Sequence, residues 1–309
     1  MSAADTPALS RGAPPSRGTR LPTLVLLGSA TMWGLLWWPL KGFATAGLSG
    51  PMLSLLTYGA VGVCGIGFLW RQRPAWRSQA GLLLLMTLVG GWANTAFVQA
   101  LMIGDVVRVM LLFYLAPVWS VLGGRVFLGE SIGPRRALAV ALALAGLWFV
   151  IGGSAAWAEP LGKADWLALS AGLAFAGHNV ISRAAQAIPM LSKTVAVFVG
   201  CGLLSALLVT LNGSAWPVVN ASIALALAGY AFGWLLLATA TWQYGVTHLE
   251  SGRAGLILTV ELLVAVVSAV LLGDSTLLPR EWAGGVLIAL AALIEASDSN
   301  ASQPEETRA

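Results

Sequence analysis

Long apolar stretches alternate with short polar connections along almost the whole chain after residue 22. A helix needs about 20 mostly apolar residues to cross about 30 Å of hydrocarbon, and ten stretches have roughly this length. The pattern predicts an all-α integral membrane protein with ten spanning helices and no sizeable soluble domain. The predicted spans lie near residues 23–43, 51–70, 79–103, 108–127, 134–152, 164–184, 194–212, 221–246, 253–272 and 281–296.

The second set of five stretches resembles the first. The segment 126–130 (Val-Phe-Leu-Gly-Glu) corresponds to 270–274 (Val-Leu-Leu-Gly-Asp), and a Pro-Arg pair follows each of them closely. Because five is odd, a second copy inserts with the opposite orientation, an arrangement that is typical of secondary transporters. The sequence therefore predicts two inverted five-helix repeats around a central cavity.

The remaining segments are expected to be tails and a linker. Residues 1–22 are rich in Pro, Ser, Gly and Arg without apolar periodicity, which predicts a disordered cytoplasmic tail. The two repeats are predicted at 23–152 and 164–296, joined by a periplasmic linker at 153–163. Residues 297–309 are expected to form a second cytoplasmic tail.

Composition also indicates a membrane protein. The chain is 58% hydrophobic and only 10% charged, whereas soluble domains contain about 25% charged residues.

The placement of the charged residues predicts the orientation. All but four of the seventeen Lys and Arg residues fall in the tails or in alternate connections, which places both termini in the cytoplasm by the positive-inside rule. The four exceptions are Lys41, Arg108, Lys163 and Arg280.

This topology accounts for the pI near 9.4, so no nucleic-acid partner is expected. The fourteen Arg against three Lys, with abundant Ala and Gly, indicate a bacterial inner membrane. The predicted partners are a small-molecule substrate and the lipid bilayer, and no obligate protein partner is evident.

Several other functional classes are disfavoured. An ATP-driven pump needs a P-loop, but the nearest pattern has Trp157 where glycine is required and Ala164 where Ser or Thr is required. The chain has two histidines and no Cys/His cluster, so no metal or cofactor is expected. A polytopic membrane enzyme stays open as the rival class, although its catalytic acids or histidines would be expected to cluster near one interface.

The Leu115-Ala116-Pro117 turn, the segment 127–130 (Phe-Leu-Gly-Glu) and the duplicated five-helix unit resemble the drug/metabolite transporter superfamily of EamA type, over nearly all of residues 23–296. Met32-Trp33, the segment 113–117 and the segment 242–245 with His248 resemble, more specifically, the YddG-type aromatic amino acid exporters. The resemblance implies a largely apolar central cavity surrounded by the first, third, fourth, sixth, eighth and ninth helices. The sequence departs from the family pattern at Glu261, where proline is expected.

Helical spacing selects the candidate binding residues. Trp33 and Trp37 are four residues apart and share one helix face, while the third, sixth and eighth spans carry strips of polar and aromatic residues. A polar side chain that faces lipid costs free energy, so these strips should face the bundle interior. For each tryptophan and for His178, ordinary packing is the alternative. The predicted substrate-binding residues are Trp33, Trp37, Trp92, Gln99, Tyr114, His178, Asn179, Trp242 and Gln243.

Three further features concern ionisable residues and proline. Glu261 lies among apolar residues near the middle of the ninth span, where a charge is costly. It is predicted to bind a solute ammonium group, to carry a coupling proton, or to be a protonated structural carboxyl. Pro117 lacks an N–H group and predicts a break in the fourth helix beside Tyr114. Asp105 and Arg108, in the turn after the third span, are expected to form a solvated pair.

These observations favour export of aromatic or bulky apolar amino acids and related metabolites by alternating access. A broad-specificity drug or metabolite exporter of the same fold is the alternative. In both cases the protein is not expected to be an enzyme.

Overall fold

A computed structural model describes residues 20–129, 132–150, 161–249, 251–273 and 277–301, and this part of the chain is helical without β-strand. It contains a 3₁₀ turn at Arg77–Gln79 and a π-helical segment at Gly229–Leu235. The helices are α1 (Arg20–Gly34), α2 (Trp37–Thr45), α3 (Gly50–Arg71), α4 (Arg73–Trp76), α5 (Ala80–Ile103), α6 (Val106–Phe113), α7 (Ala116–Leu128), α8 (Pro134–Val150), α9 (Lys163–Ala184), α10 (Met190–Leu211), α11 (Ala221–Ala228), α12 (Leu236–His248), α13 (Ser251–Leu272) and α14 (Pro279–Ala301).

A helix, or two consecutive helices, lies at the position of every predicted span. Within the described residues, six helical segments are long and apolar enough to cross a membrane, which confirms the prediction of a helical, multi-pass membrane protein. Helix α8 is not among the six because it is described over only 17 residues. Helix α9 is not among them because residues such as His178 and Asn179 make it less apolar. The six segments are Arg20–Thr45, Gly50–Arg71, Arg73–Ile103, Val106–Phe127, Met190–Leu211 and Ala221–His248.

Helix ends differ from the predicted ones by a few residues. Helix α1 begins at Arg20, three residues before the predicted span, and α14 continues to Ala301. Helix α10 begins at Met190, so Lys193 lies in a helix and not in the preceding connection. Parts of the predicted tails (1–22 and 297–309) and of the predicted linker (153–163) lie outside the described residues, namely 1–19, 302–309 and 153–160.

Proline interrupts the first and fourth spans. Pro39 and Pro117 each lack the N–H that the carbonyl four residues earlier would accept in a regular helix. The first span accordingly divides into α1 and α2, and the fourth divides between Phe113 and Ala116. Helix α13 runs without a break through Glu261, because this residue keeps its backbone N–H.

Glycines allow the closest helix contacts. A Cβ on Gly91 of α5 would overlap Gly200 of α10 and lie 2.7 Å from the backbone nitrogen of Cys201. A Cβ on Gly146 of α8 would lie 2.7 Å from the carbonyl oxygen of Gly284 on α14. These helix pairs therefore pack backbone against backbone, as small residues permit in membranes.

We expect Gly91→Ala to lower the stability of the folded protein by about 1–3 kcal/mol, the usual effect of overpacking. The added methyl group meets backbone atoms of α10, which cannot rotate away. Gly81→Ala is the matched control, because the same helix leaves open space around that position. The measurement is the apparent melting temperature in detergent, and equal midpoints for the two variants would contradict the packing described.

Candidate functional site

A cavity of about 480 Å³ lies between the helices, within the size range of small-molecule sites. Its wall combines aromatic and apolar side chains with ten polar or charged ones. Residues from α1, α3, α5, α6, α7, α9, α10, α12, α13 and α14 contribute to it. The arrangement can enclose a small solute within the helical bundle.

Most of the residues selected by helical spacing meet at this cavity. Six of the nine predicted binding residues lie on its wall, together with Pro117 and Glu261. Residues that are distant in the sequence are therefore brought to one site. The six are Trp33, Tyr114, His178, Asn179, Trp242 and Gln243.

Trp37, Trp92 and Gln99 do not line the described cavity. Trp37 is buried and its Nε1 donates a hydrogen bond to Ser268 Oγ at 2.9 Å. Trp92 packs against the main hydrophobic core. The Gln99 amide donates to the Thr95 carbonyl at 3.4 Å. These three side chains therefore have structural contacts, and we propose no direct contact between them and a solute.

A different stripe of α5 reaches the wall. Helix α5 is apolar on all sides, so the spacing of its few polar residues did not identify the face that the cavity uses. The face of α5 that lines the cavity is therefore rotated by part of a turn about the helix axis from the face that was predicted. The lining residues of α5 are Gly90, Ala93, Asn94 and Phe97.

Phenylalanines, which the sequence analysis did not select, form much of the inner wall. The ring centroids of Phe97 and Phe113 are 4.3 Å apart, and those of Phe113 and Phe175 are 5.5 Å apart. Tyr114 lies edge-on to Phe113 with centroids 6.0 Å apart. In the sequence, the only indication of this aromatic wall was that Phe113 and Tyr114 lie close to Pro117.

Glu261 and Tyr114 share a hydrogen bond between their side chains on the cavity wall. Glu261 is the only acidic residue on the described wall. Among the described residues, no Lys or Arg lies within ion-pair distance of it. The carboxyl group is therefore held by a neutral partner and is available to a cationic group of a solute.

Contacts between helix termini define the two ends of the bundle. At the Lys193 end, Ser192 Oγ of α10 donates to Gln72 Oε1, which follows α3, at 2.6 Å. At the Arg108 end, Lys41 Nζ of α2 donates to the carbonyl of Gly104, which follows α5, at 2.8 Å. The cavity wall includes Lys193.

The side of the bundle towards the Arg108 end is filled. Leu40, Leu101 and Val106 are each at most 3% exposed and belong to the main hydrophobic core. The cavity is therefore placed towards the Lys193 end, and packed side chains separate it from the Arg108 end.

Arg108 pairs with Asp165 of α9 and not with Asp105, so the prediction of a solvated Asp105–Arg108 pair is wrong. Arg108 Nε donates to Asp165 Oδ1 at 2.7 Å and Nη2 donates to Oδ2 at 3.1 Å. Arg108 Nη1 also donates to the carbonyl of Val150 at the end of α8, at 3.0 Å. Asp105 instead caps α6 by accepting the backbone N–H of Arg108 at 2.9 Å. The planar guanidinium favours a carboxylate that accepts two hydrogen bonds from it. Asp165, which is distant from Arg108 in the sequence, is such a partner.

Comparison with known proteins finds a similarity to one protein family in the first half of the chain. Residues 20–152 match the EamA-like transporter family. A solved structure, described as the crystal structure of a protein, superimposes with a TM-score of 0.59 at 19% sequence identity. The match covers 91% of this chain and 99% of the other, and it shows a shared fold. No curated protein matches the chain. The chain is therefore a multi-pass membrane protein whose residues 20–152 are similar to the EamA-like transporter family.

Proposed function

We propose that this protein is a secondary transporter that exports aromatic or bulky apolar amino acids and related metabolites by alternating access. The central cavity is the observation that carries the proposal. It combines an aromatic wall with one acidic group, Glu261, inside a helical bundle. The EamA-like domain supports transport of a small molecule across the membrane.

The proposal includes ten spanning helices in two five-helix repeats. Helix contacts support it, because they recur when each span is replaced by the span five places later. The third span packs on the sixth (α5 on α9) as the eighth packs on the first (α12 on α1), and α6–α7 packs on α9 as α13 packs on α1. The contacts of α3 with α10 and of α8 with α14 map onto themselves. A two-fold axis between the repeats would produce this pattern, and the charge distribution supports inversion and cytoplasmic termini.

The wall chemistry supports a bulky amphipathic solute. An aromatic ring packed against Trp33 or Trp242 would gain about 0.5–1.5 kcal/mol beyond the area that it buries. Glu261 would accept hydrogen bonds from the solute ammonium group, and His178, Asn179 and Gln243 would meet its other polar atoms. Among the described residues, none accepts a hydrogen bond from the buried amide nitrogen of Gln243, which supports a polar ligand at this position.

Purified protein in liposomes tests the proposal with a flux panel of phenylalanine, tryptophan, leucine, alanine and unrelated amphipathic compounds. We expect faster movement of the aromatic and bulky apolar amino acids than of alanine, with every solute recovered unchanged. Equal rates across the whole panel would favour the broad-specificity exporter, which the largely apolar wall also supports. A chemically altered solute would favour a membrane enzyme.

Trp33→Ala should lower phenylalanine flux about three- to tenfold, which corresponds to the loss of a stacking contact, and should lower alanine flux less. Trp38→Ala is the matched control, because Trp38 is 61% exposed and does not line the described cavity. The measurement is the ratio of phenylalanine to alanine flux for each variant. An unchanged ratio in Trp33→Ala would argue against stacking.

A further inference from the structure

Lys193 is a buried cation on the cavity wall. The residue is 8% exposed. Its Nζ donates hydrogen bonds to the carbonyl and hydroxyl oxygens of Ser182, at 2.7 and 3.3 Å. Within the described residues no Asp or Glu lies within ion-pair distance of it. An ammonium group has three N–H donors, so one remains for another acceptor.

His178 of α9 also has a polar atom that makes no hydrogen bond to a described residue. Its Nδ1 is buried without a hydrogen-bond partner, and it faces Gly90 of α5, where a Cβ would lie 2.8 Å from it. The His178 side chain also lines the cavity wall. The Asn179 amide lies on the same wall. The three side chains together offer hydrogen-bond donors and no acidic group.

The acidic and basic groups of the cavity stand on different helices. Glu261 on α13 is held by Tyr114, which follows α6, whereas Lys193 and His178 lie on α10 and α9. Glu261 does not pair with Lys193. The two groups therefore line one cavity without pairing with each other.

We propose that Lys193, His178 and Asn179 form a carboxylate-binding subsite in the cavity whose wall also carries Glu261. A solute carboxylate accepts the free N–H of Lys193 in a charge-assisted hydrogen bond, which is about twice as strong as a neutral one. The inference rests on the proposed transport function and narrows the substrate to a small zwitterion. The competing explanation is that Lys193 only caps the C-terminal carbonyls of α9.

The test compares phenylalanine with phenylalaninamide, which has the same ring and ammonium group but no carboxylate. In liposomes, we expect Lys193→Met to lower phenylalanine flux about tenfold, the usual effect of losing a hydrogen bond to a charged group. Phenylalaninamide flux should stay within about twofold of that of the wild-type protein. Because both solutes are measured on the same variant, the amide also reports whether the variant is folded.

Two variants complete the design. Lys163→Met removes the same charge from an exposed position at the Arg108 end and should leave both fluxes unchanged. Lys193→Arg keeps the charge and should retain part of the preference for phenylalanine. An equal loss of both solutes in Lys193→Met, or an unchanged preference, would overturn the subsite while transport by the wild-type protein stands. Wild-type protein that moves neither solute would refute the proposed function as well.

Discussion

Replacing Glu261 with Gln should lower the flux of solutes that carry an ammonium group at least tenfold. The substitution keeps the size of the side chain and an oxygen that can accept the Tyr114 hydroxyl hydrogen bond, but it removes the only acidic group on the described cavity wall. A hydrogen bond to a charged group contributes about 1.5–3 kcal/mol, and every 1.4 kcal/mol corresponds to about a factor of ten. The measurement is phenylalanine exchange between equal concentrations on the two sides of a liposome membrane.

A comparison of exchange with gradient-driven uptake separates the possible roles of Glu261. If this residue binds the ammonium group, both exchange and uptake driven by a pH gradient should fall. If it carries a coupling proton, driven uptake should be lost while exchange persists. Full retention of both would show that Glu261 is a structural carboxyl. Glu281→Gln is the matched control, because Glu281 accepts the backbone N–H of Leu278 at the start of α14, away from the cavity.

Asp165→Asn should open the Arg108 end of the protein. The Arg108–Asp165 pair joins the start of α6 to the start of α9, and the guanidinium also holds the end of α8. The two side chains are 26% and 11% exposed, so the Arg108 charge would be left partly buried without its partner. Loss of one partner of a buried pair costs up to about 3–5 kcal/mol, less here because of this exposure. A loss of about 1.4 kcal/mol would already shift the equilibrium between closed and open states tenfold.

Cysteine labelling measures this shift. Leu40→Cys places a thiol among fully buried side chains between the cavity and the Arg108 end, in a background in which Cys64 and Cys201 are replaced by Ala. We expect Asp165→Asn to raise its reaction rate with a membrane-impermeant reagent, added from the expected periplasmic side, about tenfold. The double variant Arg108→Gln with Asp165→Asn should react more slowly than Asp165→Asn alone, since it leaves no unpaired charge. Equal rates in the wild-type protein and Asp165→Asn would show that the pair does not hold this end closed.

Helix α5 shows how far sequence patterns reach at this site. Its position is evident from hydropathy, because the segment is apolar almost throughout. That same uniformity hides which face meets the cavity, and the stripe through Trp92 and Gln99 is turned away from it. In α9 the polar residues His178 and Asn179 interrupt an apolar helix, so the cost of exposing them to lipid identified the inner face. A face can thus be predicted where polar residues are few and grouped, as they are in α9.

Charged residues show a second limit. The positive-inside rule predicts that Lys193 lies in a connection between helices, because it is next to a predicted span end. In the structure it is buried within α10. Arg108 has Asp105 as its nearest acidic neighbour in the sequence, yet its partner is Asp165. Sequence proximity favours local pairs, while the three-dimensional arrangement of α6 and α9 supplies better geometry from farther away.

Sequence alone is enough to predict that this chain forms apolar helices that cross a membrane, because hydropathy and the hydrogen-bonding requirement of the backbone in lipid are properties of each segment alone. It also placed the helix break at Pro117, since a missing N–H acts locally. Only the packing of the helices sets which side chains surround the cavity, which acid Arg108 meets and which cation on the cavity wall has no carboxylate of the described residues within ion-pair distance. These depend on the rotation and contacts of helices that are distant in the chain, and no single segment contains that information.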